Sequence, residues 1–171
     1  MSLRILALAV SLGVTGAAFG VSGAALAQER AYFLTRCELT PGDSCQWGDL
    51  RARNLDGKDL SDANYKAANL KGATLRAANL ERINLQVANV AAADFSQARL
   101  TGASFFAVDA AGANFSGARL EGVNFTRANL VGANLRGAQV NGSTWFVGAR
   151  LAGATWLDGR TCAPPSVGAC D

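Results

Sequence analysis

The side chains able to do chemistry in this 171-residue chain are few, and their types restrict what they can do. There is no histidine, so neither a Ser/His nor a Cys/His nucleophile pair can form, and no histidine-based metal centre. The four cysteines stand as two pairs with the same spacing, Cys37 with Cys45 and Cys162 with Cys170. Such a set offers disulfides or thiolate coordination, and three pairings are open to it. Asp56, Asp59 and Asp62 lie close together, while Asp94 and Asp109 are more widely spaced; paired carboxylates of this kind could in principle serve acid–base chemistry. Arg99 and Arg119, with Glu81 and Glu121 nearby, could bind an anion or pair with one another's neighbours across a surface.

What positions these groups is a period. From Leu50 to Trp145 all twenty residues at multiples of five are apolar. Five residues overshoot one α-helical turn by about 140°, so no helical face results, and in a plain strand positions i and i+5 point to opposite sides. A backbone that bends once per repeat and turns its central residue to a common axis satisfies the pattern, which makes the array a solenoid. Ala recurs two positions before the centre, as in 67–70, 73–80, 113–120 and 126–135, where a methyl group lets neighbouring turns approach. Asn or Asp fills fourteen of the twenty positions just before a centre and can bond to turn backbone. Gly57, Gly72, Gly102, Gly112, Gly117, Gly122, Gly132, Gly137 and Gly142 follow two after a centre, where a corner calls for positive φ.

On these residues, over about 48–157, the chain resembles the pentapeptide-repeat family, with its A-[D/N]-L-x-x unit. The resemblance implies an all-β, right-handed parallel β-helix of quadrilateral section, four repeats to a coil and about five coils. Residues twenty apart then stack in four internal columns: Leu50, Leu70, Val90, Ala110, Leu130; Leu55, Leu75, Phe95, Phe115, Leu135; Leu60, Leu80, Leu100, Leu120, Val140; and Tyr65, Leu85, Phe105, Phe125, Trp145. The small centres Val90 and Ala110 fall in coils that already carry two phenylalanines, which reads as volume compensation. Arg53 and Lys58 occupy normally small inward positions and mark the first coil as a capping turn. A one-residue slip over 145–151, which moves the centres to Leu151 and Trp156, marks the other end. In such an array the two cysteine pairs are separated by about five coils at ~4.8 Å each, so local bridges Cys37–Cys45 and Cys162–Cys170 are favoured over one metal site.

Residues 1–27 carry a single positive charge at Arg4, an apolar run and the ending Ala25-Leu26-Ala27, the pattern of a secretory signal peptide cleaved after Ala27. The organisation is therefore 1–27 leader, 28–47 N-terminal cap, 48–157 repeats and 158–171 C-terminal cap. Export to the periplasm or beyond agrees with the disulfide spacing. The net charge of +3, or +2 without the leader, speaks against electrostatic capture of nucleic acid.

These features point to a non-enzymatic, exported bacterial scaffold for structure or protein–protein interaction. It needs no cofactor or metal, takes an unidentified protein partner or a second copy, and meets the membrane only through its leader. Phe106 and Phe146, one after their centres, with Val131 on the adjacent face and Trp156 nearby, form the candidate interaction surface. The resemblance also implies an alternative, a DNA mimic acting on a topoisomerase, which calls for a strongly acidic surface. A hydrolase or small-ligand binder would need the Asp56, Asp59 and Asp62 coil to form a cleft.

Overall fold

The five-residue period closes a coil every twenty residues, and the backbone ladder shows how. In a computed structural model describing residues 37–171, parallel bridges join each residue before a centre to the one twenty further on, from Ser44↔Asn64 to Arg119↔Gln139. Two hydrogen bonds flank each bridge: Leu70 N–H donates to the Asn89 carbonyl (2.7 Å) and Asn89 N–H to the Ala68 carbonyl (2.9 Å). The expected leader and residues 28–36 lie outside the described residues. Because a turn follows every bridge, no side of the coil is long enough for an extended strand. The fold is a β-helix of isolated bridges and turns rather than a conventional all-β sheet.

The corners are uniform. At every fifth position from Gly42 to Gly137, two after each centre, φ lies in the left-handed region. Nine of these twenty residues are glycine and eleven are not, including the β-branched Val87 at 52° and Arg127 at 59°. A side chain there costs about 1 kcal/mol or more, so the packing that the corner permits must outweigh local preference. Gly142, expected to be one of these corners, does not adopt positive φ, because the register changes just there.

That change corrects the expected last coil. After Val140 the bridges become Asn124↔Trp145, Asn129↔Arg150 and Asn134↔Thr155, a separation of twenty-one residues. The extra residue is absorbed within 140–144, one repeat earlier than the expected 145–151. The Thr144 hydroxyl donates to the Leu120 carbonyl (2.8 Å), and the Asn141 side-chain carbonyl accepts from Gly122 N–H (3.1 Å) and Ser143 N–H (3.1 Å). Trp145 is consequently a bridge residue facing solvent, and Phe146 takes its place as centre.

With this correction the columns hold. Leu151 continues the first, Trp156 extends the second, and Phe146 ends the fourth, which begins three residues before the expected boundary of 48, at the buried Cys45. The inward alanines, with Ile83, Val108 and Val123 in their places, are buried throughout, whereas Arg53 and Lys58 are exposed as expected of a capping turn. Phenylalanines pack as one run: Phe95 stacks on Phe115 (5.0 Å), Phe105 meets Phe115 edge-on (5.7 Å), and Phe125 stacks on Phe146 (5.2 Å). Ala110 sits between Phe105 and Phe115 in the sequence of centres, where the rings already occupy the section.

Both ends are closed by the cysteine pairs. Cys37 and Cys45 are bonded across Cα atoms 5.0 Å apart, beside Gly48, where a Cβ would collide with both sulfurs. Cys162 and Cys170, with Cα atoms 4.9 Å apart, hold a tail that doubles back under the last coil in antiparallel bridges, Thr155↔Thr161 and Arg150↔Val167. Thus Leu151 N–H and Gly153 N–H find the Ser166 and Cys162 carbonyls, and the coil edge is not left open. Beneath Cys45, Tyr65 is fully buried and its hydroxyl has no hydrogen-bond partner among the described residues. Burial, and secondarily the charge of Asp43, raises its pKa well above the ordinary phenol value.

Two core substitutions should move the thermal midpoint in opposite directions. Ala110→Leu should destabilise by about 1–3 kcal/mol through overpacking against Phe105 and Phe115. Tyr65→Phe should stabilise by about 1–2 kcal/mol by removing a buried unpaired hydroxyl. Equilibrium unfolding of both variants checks the register and the orphaned group together.

Candidate interaction surface

In each repeat three residues remain outside: the one before the centre and the two after it. The first of these forms polar ladders. Asn114 donates to Asp94 (2.9 Å), Asn134 to Asn114 (3.2 Å), Asn129 to Asp109 (2.9 Å) and Asn79 to Asp59 (2.9 Å), each across one coil. The same acceptors take the N–H two residues on, as at Ser96 (2.9 Å) and Ala111 (3.3 Å), which is the turn role that Asn and Asp were expected to play.

The acidic groups that could have supported catalysis are therefore committed. Asp59 accepts from Ser61 N–H (3.1 Å) and from the Ser61 hydroxyl (2.8 Å), and the hydroxyl bond is the chief reason its carboxyl lies below the usual range. Asp62 receives two bonds of 2.6 Å from the Arg82 guanidinium, which holds its pKa down, and Arg51 acts likewise on Asp49. Asp56 accepts Arg76 N–H (2.9 Å). Arg99 and Arg119 bridge one another's backbones, and their side chains reach Glu81 (2.6 Å) and Glu121 (3.6 Å). Among the described residues no cluster of three metal-ligating side chains occurs. An open polar depression of about 480 Å³, which sequence reasoning did not find, lies on one face; Arg76, Asp94, Ser96, Gln97, Asn114 and Ser116 line it. It brings Asp94 within 3.8 Å of Arg76.

The four residues expected to form an apolar surface separate into two pairs. Phe146 is a core centre, and Trp156 meets it edge-on (5.2 Å) to close the hydrophobic column, so neither is a free surface group. The one-residue insertion is the physical reason: it turned Phe146 inward. Phe106 and Val131 are outward and half-buried. The exposed large apolar residues are instead Trp47 (71%), Val147 (70%), Val167 (57%), Trp145 (56%) and Val87 (49%). Trp47 and Val87 could have been found by asking which outward positions recur every twenty residues.

Comparison with known proteins bears on this architecture. The family described as Pentapeptide repeats matches in eight copies over residues 45–82, 68–105 and 111–144. A pentapeptide repeat protein of the Arabidopsis thaliana thylakoid lumen is 30% identical, over 72% of this chain and 71% of that one, with a TM-score of 0.32. HetL, a pentapeptide repeat protein involved in heterocyst differentiation regulation in the cyanobacterium Nostoc, is 27% identical over 70% of this chain, which spans 62% of HetL (TM-score 0.29). QnrB1, a plasmid-mediated fluoroquinolone resistance protein, is 20% identical over 70% of this chain and 65% of its own (TM-score 0.33). No curated protein matches the chain.

The depressed carboxyls contribute to the acid response. Groups whose folded pKa is lowered stabilise the fold above their unfolded value, near 3.9 for Asp, and that contribution is lost as pH falls through the lower folded value. The thermal midpoint should hold from neutrality to about pH 5 and fall below about pH 4, less steeply in Asp62→Asn, as a melting series in pH will show.

Proposed function

The chain belongs to the pentapeptide-repeat family, and on that footing we propose that it is a non-enzymatic scaffold, exported to the bacterial periplasm or cell envelope, which presents a rigid lattice of side chains to a protein partner. Proteins of this family fold as right-handed quadrilateral β-helices. The observation that carries the reading is the use made of the polar groups: the aspartates and most arginines are bonded to turns, to the next coil or to each other. What is left outside among the described residues is a regular surface of turns and ladders, and such a surface is suited to recognition. The leader-like pattern of residues 1–27 and the paired cysteines support export. A DNA-mimicking role on a topoisomerase finds less support, since the acids are interleaved with arginines and the net charge is +3.

Crosslinking in the intact periplasm followed by affinity capture tests the proposal. A reproducible protein partner should be recovered, with yield reduced by Phe106→Ser combined with Val131→Ser and unchanged by Asp59→Asn. Turnover of envelope glycans abolished by Asp56→Asn, Asp59→Asn or Asp62→Asn would replace the scaffold with a hydrolase, and strong inhibition of gyrase supercoiling would favour the topoisomerase reading.

A further inference from the structure

The exposed large apolar residues are not scattered: they follow one of the four edges of the rod. The edge after the fourth column is built, coil by coil, from residue pairs joined through backbone hydrogen bonds. Trp47 N–H donates to the Lys66 carbonyl (3.1 Å), Ala67 to Gln86 (2.9 Å), Val87 to Phe106 (3.0 Å), Ala107 to Thr126 (2.9 Å) and Arg127 to Val147 (2.9 Å). Trp47, Val87, half-buried Phe106 and Val147 therefore lie along a single line of five coil steps, about 24 Å at the inter-strand spacing. Trp145 stands on the face before the edge in the last coil, two residues ahead of Val147 with the inward Phe146 between them, and Val167 lies on the face beyond it, opposite Arg150. All five exposed large apolar side chains among the described residues thus fall on this edge or on the faces flanking it.

Its charge is equally one-sided. The two positions per coil that make the edge carry Lys66 and Arg127 and no acid, and Arg150 flanks its lower end. Among the described residues none of these three approaches a carboxylate within 4.0 Å; Arg53, Lys58, Lys71 and Arg136 elsewhere on the rod are likewise unpaired, while Arg51, Arg76, Arg82, Arg99, Arg119 and Arg160 are paired. Asp49 and Asp109 on the next face are already bonded, to Arg51 and Asn129.

We propose that this edge docks the protein on an anionic membrane surface, lying along it. A corner is convex, and a fluid headgroup layer conforms to a convex line where a second rigid protein would need a matching groove. Tryptophan at both ends with valine and phenylalanine between suits the interfacial depth of a bilayer, and unpaired cations at the same level meet anionic headgroups. No helix among the described residues is long and apolar enough to cross a membrane. The docking edge goes beyond the scaffold reading, assigns the mature chain a membrane contact that its sequence did not suggest, and shares only Phe106 with the surface proposed for a protein partner, leaving Val131 and the polar faces to that partner.

Co-sedimentation of the full chain with phosphatidylcholine vesicles, with and without phosphatidylglycerol, tests this. Binding should require the anionic lipid, weaken with salt and shift tryptophan emission to the blue. The variant combining Trp47→Ser, Trp145→Ser and Val147→Ser keeps the same N-terminal segment and changes only exposed side chains, so its circular dichroism should match the parent. Its vesicle partition should fall roughly tenfold or more. A second variant, Lys66→Glu with Arg127→Glu, should lose the preference for anionic lipid. Parent and variants binding alike, or no binding to phosphatidylglycerol vesicles, overturns the proposal. So does a concentration-dependent dimer in sedimentation velocity that the first variant abolishes, which would give the edge to a second copy.

Discussion

Everything in this molecule depends on coil closure. The N–H of each centre must reach the carbonyl nineteen residues on, while the residue before it donates back to the coil above. With the bond from the corner residue two after the centre, three inter-coil bonds per repeat make a narrow ladder, and they form only if every corner turns alike. This is why left-handed φ recurs at every fifth residue whether or not glycine is there to favour it. The energetic balance runs from tertiary to local: buried columns of leucine and phenylalanine with no solvent contact offset about 1 kcal/mol at each non-glycine corner.

The same constraint explains how one inserted residue reorganises the end of the rod. A register of twenty-one leaves the ladder intact only if a short segment bulges, and Asn141 and Thr144 hold that bulge by bonding back to the coil above. The cost is local and the consequence is chemical: of two adjacent aromatics, Phe146 enters the core and Trp145 is turned to solvent. The end then closes through Trp156 and the disulfide-held tail, so the insertion both terminates the solenoid and places an indole on its surface.

Much of this could be read in the residues. Alanine two before each centre, Asn or Asp one before, and glycine two after correspond to inward packing, turn bonding and the corner, and the columns follow from counting by twenty. The slip was misplaced by one repeat because Trp145 and Phe146 are both large and aromatic, so forward counting accepts either; counting back in fives from Leu151 lands on Phe146. Cys45 stands in phase with the period, yet as a cysteine it reads as a cap and not as a core member, and it is both. The apolar edge was hidden for another reason. Trp47, Val87 and Val147 are outward residues of different units, unremarkable singly, and only the twenty-residue stacking aligns them.

The measurement closest to the central claim is solution NMR of the last two coils. A register of twenty-one predicts nuclear Overhauser contacts between the rings of Phe125 and Phe146, and between the backbones of Asn124 and Trp145, with the Trp145 indole open to a soluble paramagnetic probe. Contacts of Phe125 with Trp145 instead, and a Phe146 ring broadened by the probe, would mean that the twenty-residue register runs unbroken to the end, and would contradict the account.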